Sequence, residues 1–203
     1  FHFSAISPAL NDNLAAVCLE AAKAARAKDI TVSIDLNYRA KLWQYGKQPV
    51  EVMPALVAEC DVVMGNIWSA NSLLGIDKTI EESIGKSKKE LSIAAAASMQ
   101  MLMKAYPSVK TMAYTFRLEE NYFACLHHNN NFAVSDEHDI TKVIDKVGSG
   151  DCFMGGLIYG LINENPEEYI INFAAAAAIL KLQQTGDATI STLTDVEKAM
   201  NHG

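Results

Sequence analysis

Two glycines and a carboxylate mark the segment best able to do chemistry, Asp145-Lys146-Val147-Gly148-Ser149-Gly150-Asp151-Cys152-Phe153-Met154-Gly155-Gly156. Lacking Cβ atoms, Gly148 and Gly150 let consecutive backbone N–H groups turn onto one concave surface. The apolar run that follows reads as a helix, whose unpaired first donors and positive dipole end add to that surface. Gly148, Ser149 and Gly150 then form an anion hole. A transferring phosphoryl group, with charge spread over its equatorial oxygens, suits such a hole. Asp151, at its lip, can accept the proton of an attacking hydroxyl while the amides hold the phosphate. Against this stands a plainer reading, because G-x-G precedes many helices and an Asp in the first turn is often only a cap. The run is not a Walker loop, since no GK[ST] follows, and its downstream glycines are wrongly spaced for a dinucleotide fingerprint.

A second run, Asp35-Leu36-Asn37-Tyr38-Arg39-Ala40-Lys41-Leu42-Trp43, follows a short β-branched stretch. A strand ending in Asp and Asn puts polar groups at the carboxyl edge of a parallel sheet, where α/β proteins bind ligands. Arg39, four residues past Asp35, offers a two-pronged donor for a carboxylate. The plainer reading is a surface ion pair for Arg39 and a core place for Trp43.

The elements that must position these residues follow from pattern. Phe1 to Ile6 and Ile30 to Asp35 read as strands, and Leu14 to Lys28 repeats apolar residues at helical spacing after capping side chains at Asn11 to Asn13. Pro49 to Cys60 predicts a helix, Asp61 to Met64 a strand, and Asn66 to Leu74 a helix closed by Gly75. The charged stretch Asp77 to Lys89 predicts a loop, Ala94 to Tyr106 a helix, and Val109 to Thr115 a strand. Tyr122 to His127 and Phe132 to Val134 predict a hairpin around three asparagines, which tolerate positive φ. Helices follow from about Gly150 to Asn163, from Pro166 to Gln183 and from Thr194. Strand–helix alternation with a hairpin and a helical end predicts an α/β fold with a mainly parallel sheet and an antiparallel edge. No repeat or linker interrupts it, so 1–203 reads as a single α/β domain.

With 203 residues, half of them apolar and a fifth charged, the chain suits one sizeable globular domain. A net charge of −7 argues against a broad nucleic-acid surface. Cys18, Cys60, Cys125 and Cys152 form no CxxC pair, and scattered thiols predict a reduced, cytoplasmic protein. The longest apolar stretch, Phe173 to Leu180, falls short of the ~20 residues that span a bilayer. His127, His128 and His138 lack ligand spacing, Met99, Met101 and Met103 read as core filler, and Lys86, Lys88 and Lys89 as a solvated face. The opening Phe1-His2-Phe3 looks like the inside of a core strand and suggests a piece of a longer protein.

Asp145-x-x-Gly148-x-Gly150-Asp151 resembles the D-x-x-G-x-G-D signature of ribokinase-like (PfkB) sugar kinases. The resemblance implies a three-layer sandwich of which this chain is the C-terminal part, without the lid sheet. It further implies ATP and magnesium as cofactors, Asp151 as base, and a potassium ion beside Asp145. The run from Asp35 to Trp43 is similar to the D-x-N-x-R-x-x-L-W run of 2-keto-3-deoxygluconate kinases, which implies that Arg39 binds a sugar acid and that Asn37 faces the nucleotide side. Asn66 falls where the family has Asn-x-x-Glu, tied to magnesium and phosphate, with Ser69 at the Glu position. Thr115 and Arg117 stand where the family has its nucleotide loop. Ala175 stands in the Ala-rich helix beside adenine, and Gly186-Asp187 resembles a Gly-Asp pair whose Asp touches substrate. The expected reaction is ATP-dependent phosphorylation of 2-keto-3-deoxygluconate at its primary hydroxyl, weak or absent in a chain lacking the N-terminal Gly-Gly motif and the lid through which relatives dimerise. Two alternatives stay open: a fructokinase-like or nucleoside kinase of the same group, and a nucleotide-binding fragment without catalysis.

Overall fold

A computed structural model describes residues 1–200. They pack as two compact units, Phe1–Tyr114 with His127–Asn129, and Thr115–Leu126 with Asn130 onward. In the first unit, strands β1 (His2–Ser4), β2 (Ser33–Asp35) and β3 (Val62–Gly65) run parallel to each other and to the start of β4 (Thr111–Arg117). Parallel neighbours need a crossover. The helices α1 (Asp12–Arg26), α2 (Pro49–Val57), α3 (Ile67–Leu74) and α4 (Lys88–Ala105) supply it. The register steps His2, Ser33, Val62 and Thr111 across the four strands. All four residues of β3 are buried, as expected for a strand covered on both faces.

Caps explain where the helices start. Asn11 Oδ1 accepts the Leu14 N–H at 2.9 Å to open α1. Ser87 and Glu90 form a reciprocal capping box, so α4 begins at Lys88, six residues before the apolar run that announced it. The expected loop therefore ends two residues early.

The second unit holds the end of β4, the strands β5 (Asn121–His128, to Leu126 here), β6 (Asn131–Val134) and β7 (His138–Asp139), and the helices α5 (Ser149–Ile162), α6 (Glu167–Leu182) and α7 (Leu193–Met200). The strand order is β1-β2-β3-β4-β5-β6, with β7 antiparallel on β5. Asn129 and Asn130 carry φ of 49° and 62°, the left-handed turn that the asparagine run predicts. The fold is mixed α/β with a mainly parallel sheet, as expected; β7 is an addition.

Helix α5 lies hard against α6. A Cβ on Gly156 would meet Ala174 Cα at 2.8 Å, so only glycine permits this approach. Tyr159 and Tyr169 stack on Phe173, with ring centroids 4.9 and 5.7 Å away, and Val196 of α7 completes the cluster. This packing fixes the axis of α5 and hence the bend at its N-terminus. Among the described residues no helix is long and apolar enough to cross a membrane.

Candidate active site

In the second unit Gly148 is the N-cap of α5, with φ of 78° and ψ of −6°. The helical ladder begins with the Cys152 N–H on the Gly148 carbonyl at 2.9 Å, so the amides of Ser149, Gly150 and Asp151 lie ahead of it. Those three donors lie at the positive end of a fourteen-residue helix, a place that favours negative charge. Ser149 is buried and donates its hydroxyl to the Lys146 carbonyl at 3.0 Å, which ties the bend together. Asp151 is exposed in the first turn, and its carboxylate is open to solvent beside the amides. One expectation is corrected. Gly150 is already helical, so Gly148 alone provides the left-handed turn.

A second loop closes on the first. The carbonyl oxygen of Asp187 sits where a Cβ on Gly148 would be, 2.0 Å from that ideal position, so the two backbones touch through the missing side chain. Asp145 bridges the loops. Its Oδ1 accepts the Val147 N–H and its Oδ2 the Gly186 N–H, each at 3.0 Å. Asp145, Gly148, Ser149, Gly150, Asp151 and Asp187 are thereby brought together. Asp187 is exposed beside the bend.

The amides of Val147 and Gly186, helped by the charge of Lys181, hold the Asp145 carboxyl below its ordinary range. A carboxylate with a depressed folded pKa adds stability above its unfolded value of about 3.9, and that stability is lost as pH falls toward the folded value. The gap in thermal midpoint between wild type and Asp145→Asn should therefore be widest near neutrality and narrow below about pH 4. A gap that stays constant down to acid pH would show that the clamp does not depend on this charge.

In the first unit, Asn37 and Arg39 follow β2 and Asn66 follows β3, at the carboxyl ends of adjacent parallel strands. Arg39 is exposed, and its Nε donates to Asn37 Oδ1 at 3.1 Å, which orients the guanidinium. Trp43 is half-buried and stacks on Tyr45, so it supports the loop. Asn66 caps α3: its Oδ1 accepts the Ser69 N–H at 2.8 Å, while the Ser69 hydroxyl bonds both the N–H and the carbonyl of Asn66. These residues do not fit a magnesium site, because no carboxylate is present and the oxygens are committed to the cap. Among the described residues no group of three or more His, Cys, Asp or Glu side chains is placed to hold a metal.

At the end of β4, Thr115 is half-buried and Arg117 exposed, held by Phe116, which stacks on Phe123 with centroids 4.8 Å apart. Ala175 is fully buried in α6 and presents no surface to a ligand, which corrects the expectation of an adenine contact. The residue passed over was Lys181, a single charge in the apolar run of α6 and entirely buried.

A glycine bend opening a helix beside an exposed carboxylate is the arrangement expected for phosphoryl transfer. The model of the pfkB family carbohydrate kinases matches residues 1–194. The chain belongs to that family. Over its whole length this pfkB-family chain is 26% identical to the 2-dehydro-3-deoxygalactonokinase of Haloferax volcanii, of which it covers 57%. The 2-dehydro-3-deoxygluconokinase structure from Thermotoga maritima matches with a TM-score of 0.85 at 31% identity, over 99% of this chain and 59% of that one. A fructokinase of Vibrio cholerae, solved with fructose, ADP and potassium, matches in fold with a TM-score of 0.71 at 20% identity, over 98% and 59% of the two chains. The pfkB-family chain thus spans less than two thirds of these relatives.

Proposed function

We propose that the chain is the nucleotide-handling and catalytic part of an ATP-dependent kinase of a 2-keto-3-deoxy sugar acid, with 2-keto-3-deoxygluconate as the favoured substrate. The observation that carries this reading is the bend at Gly148, with its amides ahead of the α5 ladder and Asp151 exposed at its edge. The γ-phosphoryl oxygens would rest on the amides of Ser149, Gly150 and Asp151. The primary hydroxyl of the sugar gives its proton to Asp151 as its oxygen bonds phosphorus, and the bond to the β-phosphate oxygen breaks to release ADP. Asn66 and Ser69, committed to the α3 cap, would not hold magnesium, which the ATP phosphates would carry. In this reading Thr115 and Arg117, at the end of β4, would meet the nucleotide, and Asp187 the sugar.

Arg39 supports an acidic substrate over a neutral one. A guanidinium already steered by Asn37 loses little further freedom on binding a carboxylate. A charge-assisted pair contributes about 1.5–3 kcal/mol, so Arg39→Ala in the full-length enzyme should raise KM for the sugar acid on the order of 10- to 100-fold. Activity on neutral ketoses should not fall. Steady-state kinetics on a panel of sugar acids, ketoses and nucleosides tests this, and an unchanged KM for the acid would favour a neutral substrate.

A further inference from the structure

Lys181 is 0% exposed, although a fully buried lysine is rare unless something pairs with its charge. It lies in the last turn of α6, where the negative end of the helix dipole favours a cation. Its Nζ donates to the Gln184 carbonyl at 3.0 Å, in the turn that leads to Gly186 and Asp187. Its charge reaches Asp145, and it also reaches Cys152, where burial raises the thiol and the ammonium pulls it back. Lys181 therefore sits within the field of both the inter-loop clamp and the first turn of α5.

We infer that the ammonium of Lys181 is a built-in cation that takes the place of a bound monovalent metal ion beneath the Gly148–Asp151 bend, so that the order of the loop and its nucleotide affinity do not depend on potassium. The oxygens nearest Lys181 that an ion would recruit each already accept an N–H donor. Asp145 Oδ1 and Oδ2 accept from Val147 and Gly186, and the Gln184 carbonyl accepts from Lys181 itself. The Leu182 carbonyl accepts from the amides of Ile144 and Asp145, at 2.8 and 3.3 Å. A further cation would have to share these oxygens with their donors and share Asp145 with a like charge. The potassium ion implied by the family resemblance does not fit this set of partners.

The test compares the full-length protein in potassium chloride and in N-methylglucamine chloride at matched ionic strength. Thermal midpoints are read without nucleotide, and ADP affinity is then read by calorimetry. Only the second arm rests on the kinase reading, so failure of the first is separable from failure of that reading. Wild type is expected to keep its midpoint in both salts, and its ADP affinity should change far less than the ~10-fold coupling of a required ion. Lys181→Met should lower the midpoint and make it potassium-dependent. If that variant does not fold in either salt, Lys181→Arg, which keeps the charge, should fold and remain indifferent to potassium. The inference is overturned by a wild type that needs potassium, by a Lys181→Met protein as stable as wild type, or by a Lys181→Arg protein that has become potassium-dependent.

Discussion

An Asp151→Asn version of the full-length enzyme is expected to lose at least ~100-fold in kcat with almost no change in its unfolding midpoint. Asparagine keeps the size and the hydrogen-bonding reach of the side chain but cannot take a proton from an alcohol. Because Asp151 is exposed in the first turn of α5, folding depends on it only through the ~0.3–1 kcal/mol that a carboxylate there gains from the helix dipole. Loss of a base used only in the transition state lowers kcat and kcat/KM together and leaves KM for ATP in place. Stopped assays with saturating ATP and sugar, paired with thermal unfolding, separate the two effects. Near-normal turnover would remove Asp151 from the role of base, and the amides ahead of α5 would then be no more than a helix end.

Local physics made much of this legible. Asn66 caps α3 because a short amide side chain ahead of an apolar run accepts the third N–H, and Asn129 and Asn130 turn the hairpin because asparagine tolerates the left-handed region. The same reasoning could have found the start of α4, since Ser87-Lys88-Lys89-Glu90 is a capping box; the charges drew attention to a solvated loop instead. Strand β7 was beyond reach. Its two residues, His138 and Asp139, have no period of their own and become a strand only by pairing with Asn121 and Tyr122.

The site divides in the same way. The bend at Gly148, Ser149 and Asp151 is legible because its backbone geometry is local to four residues. Ala175 and Lys181 are not, because both lie in α6, which buries residues on every side and so has no apolar stripe from which to tell inside from outside. An alanine there looks available to adenine, and nothing in the pattern marks the lysine as buried. Ala175 is core, and Lys181 is a buried charge committed to the Gln184 carbonyl. Position on a helix without amphipathic pattern is decided by tertiary packing alone, here the contact of α5 at Gly156 with Ala174.

Gly148→Ala should be the most damaging single methyl group in the second unit. At φ of 78° an L-residue is strained by about 1–3 kcal/mol before any contact is considered. The added Cβ would also stand 2.0 Å from the Asp187 carbonyl oxygen, a backbone atom that cannot rotate away. Relief requires the two loops to separate, which pulls Gly186 from Asp145 Oδ2 and moves Asp187 from the bend. The two costs together predict a loss of about 2–4 kcal/mol, or on the order of 5–15 °C in midpoint for a protein of this size. Turnover should fall further than stability explains, because displaced amides no longer meet the phosphoryl oxygens. Gly150→Ala is the matched control for fold: that glycine is helical and exposed, so alanine there should leave the midpoint unchanged or raise it by up to the ~1 kcal/mol of helix propensity. If Gly148→Ala proves as stable as Gly150→Ala, the approach of Asp187 to the bend is not the contact that shapes this site, and the clamp through Asp145 loses its purpose with it.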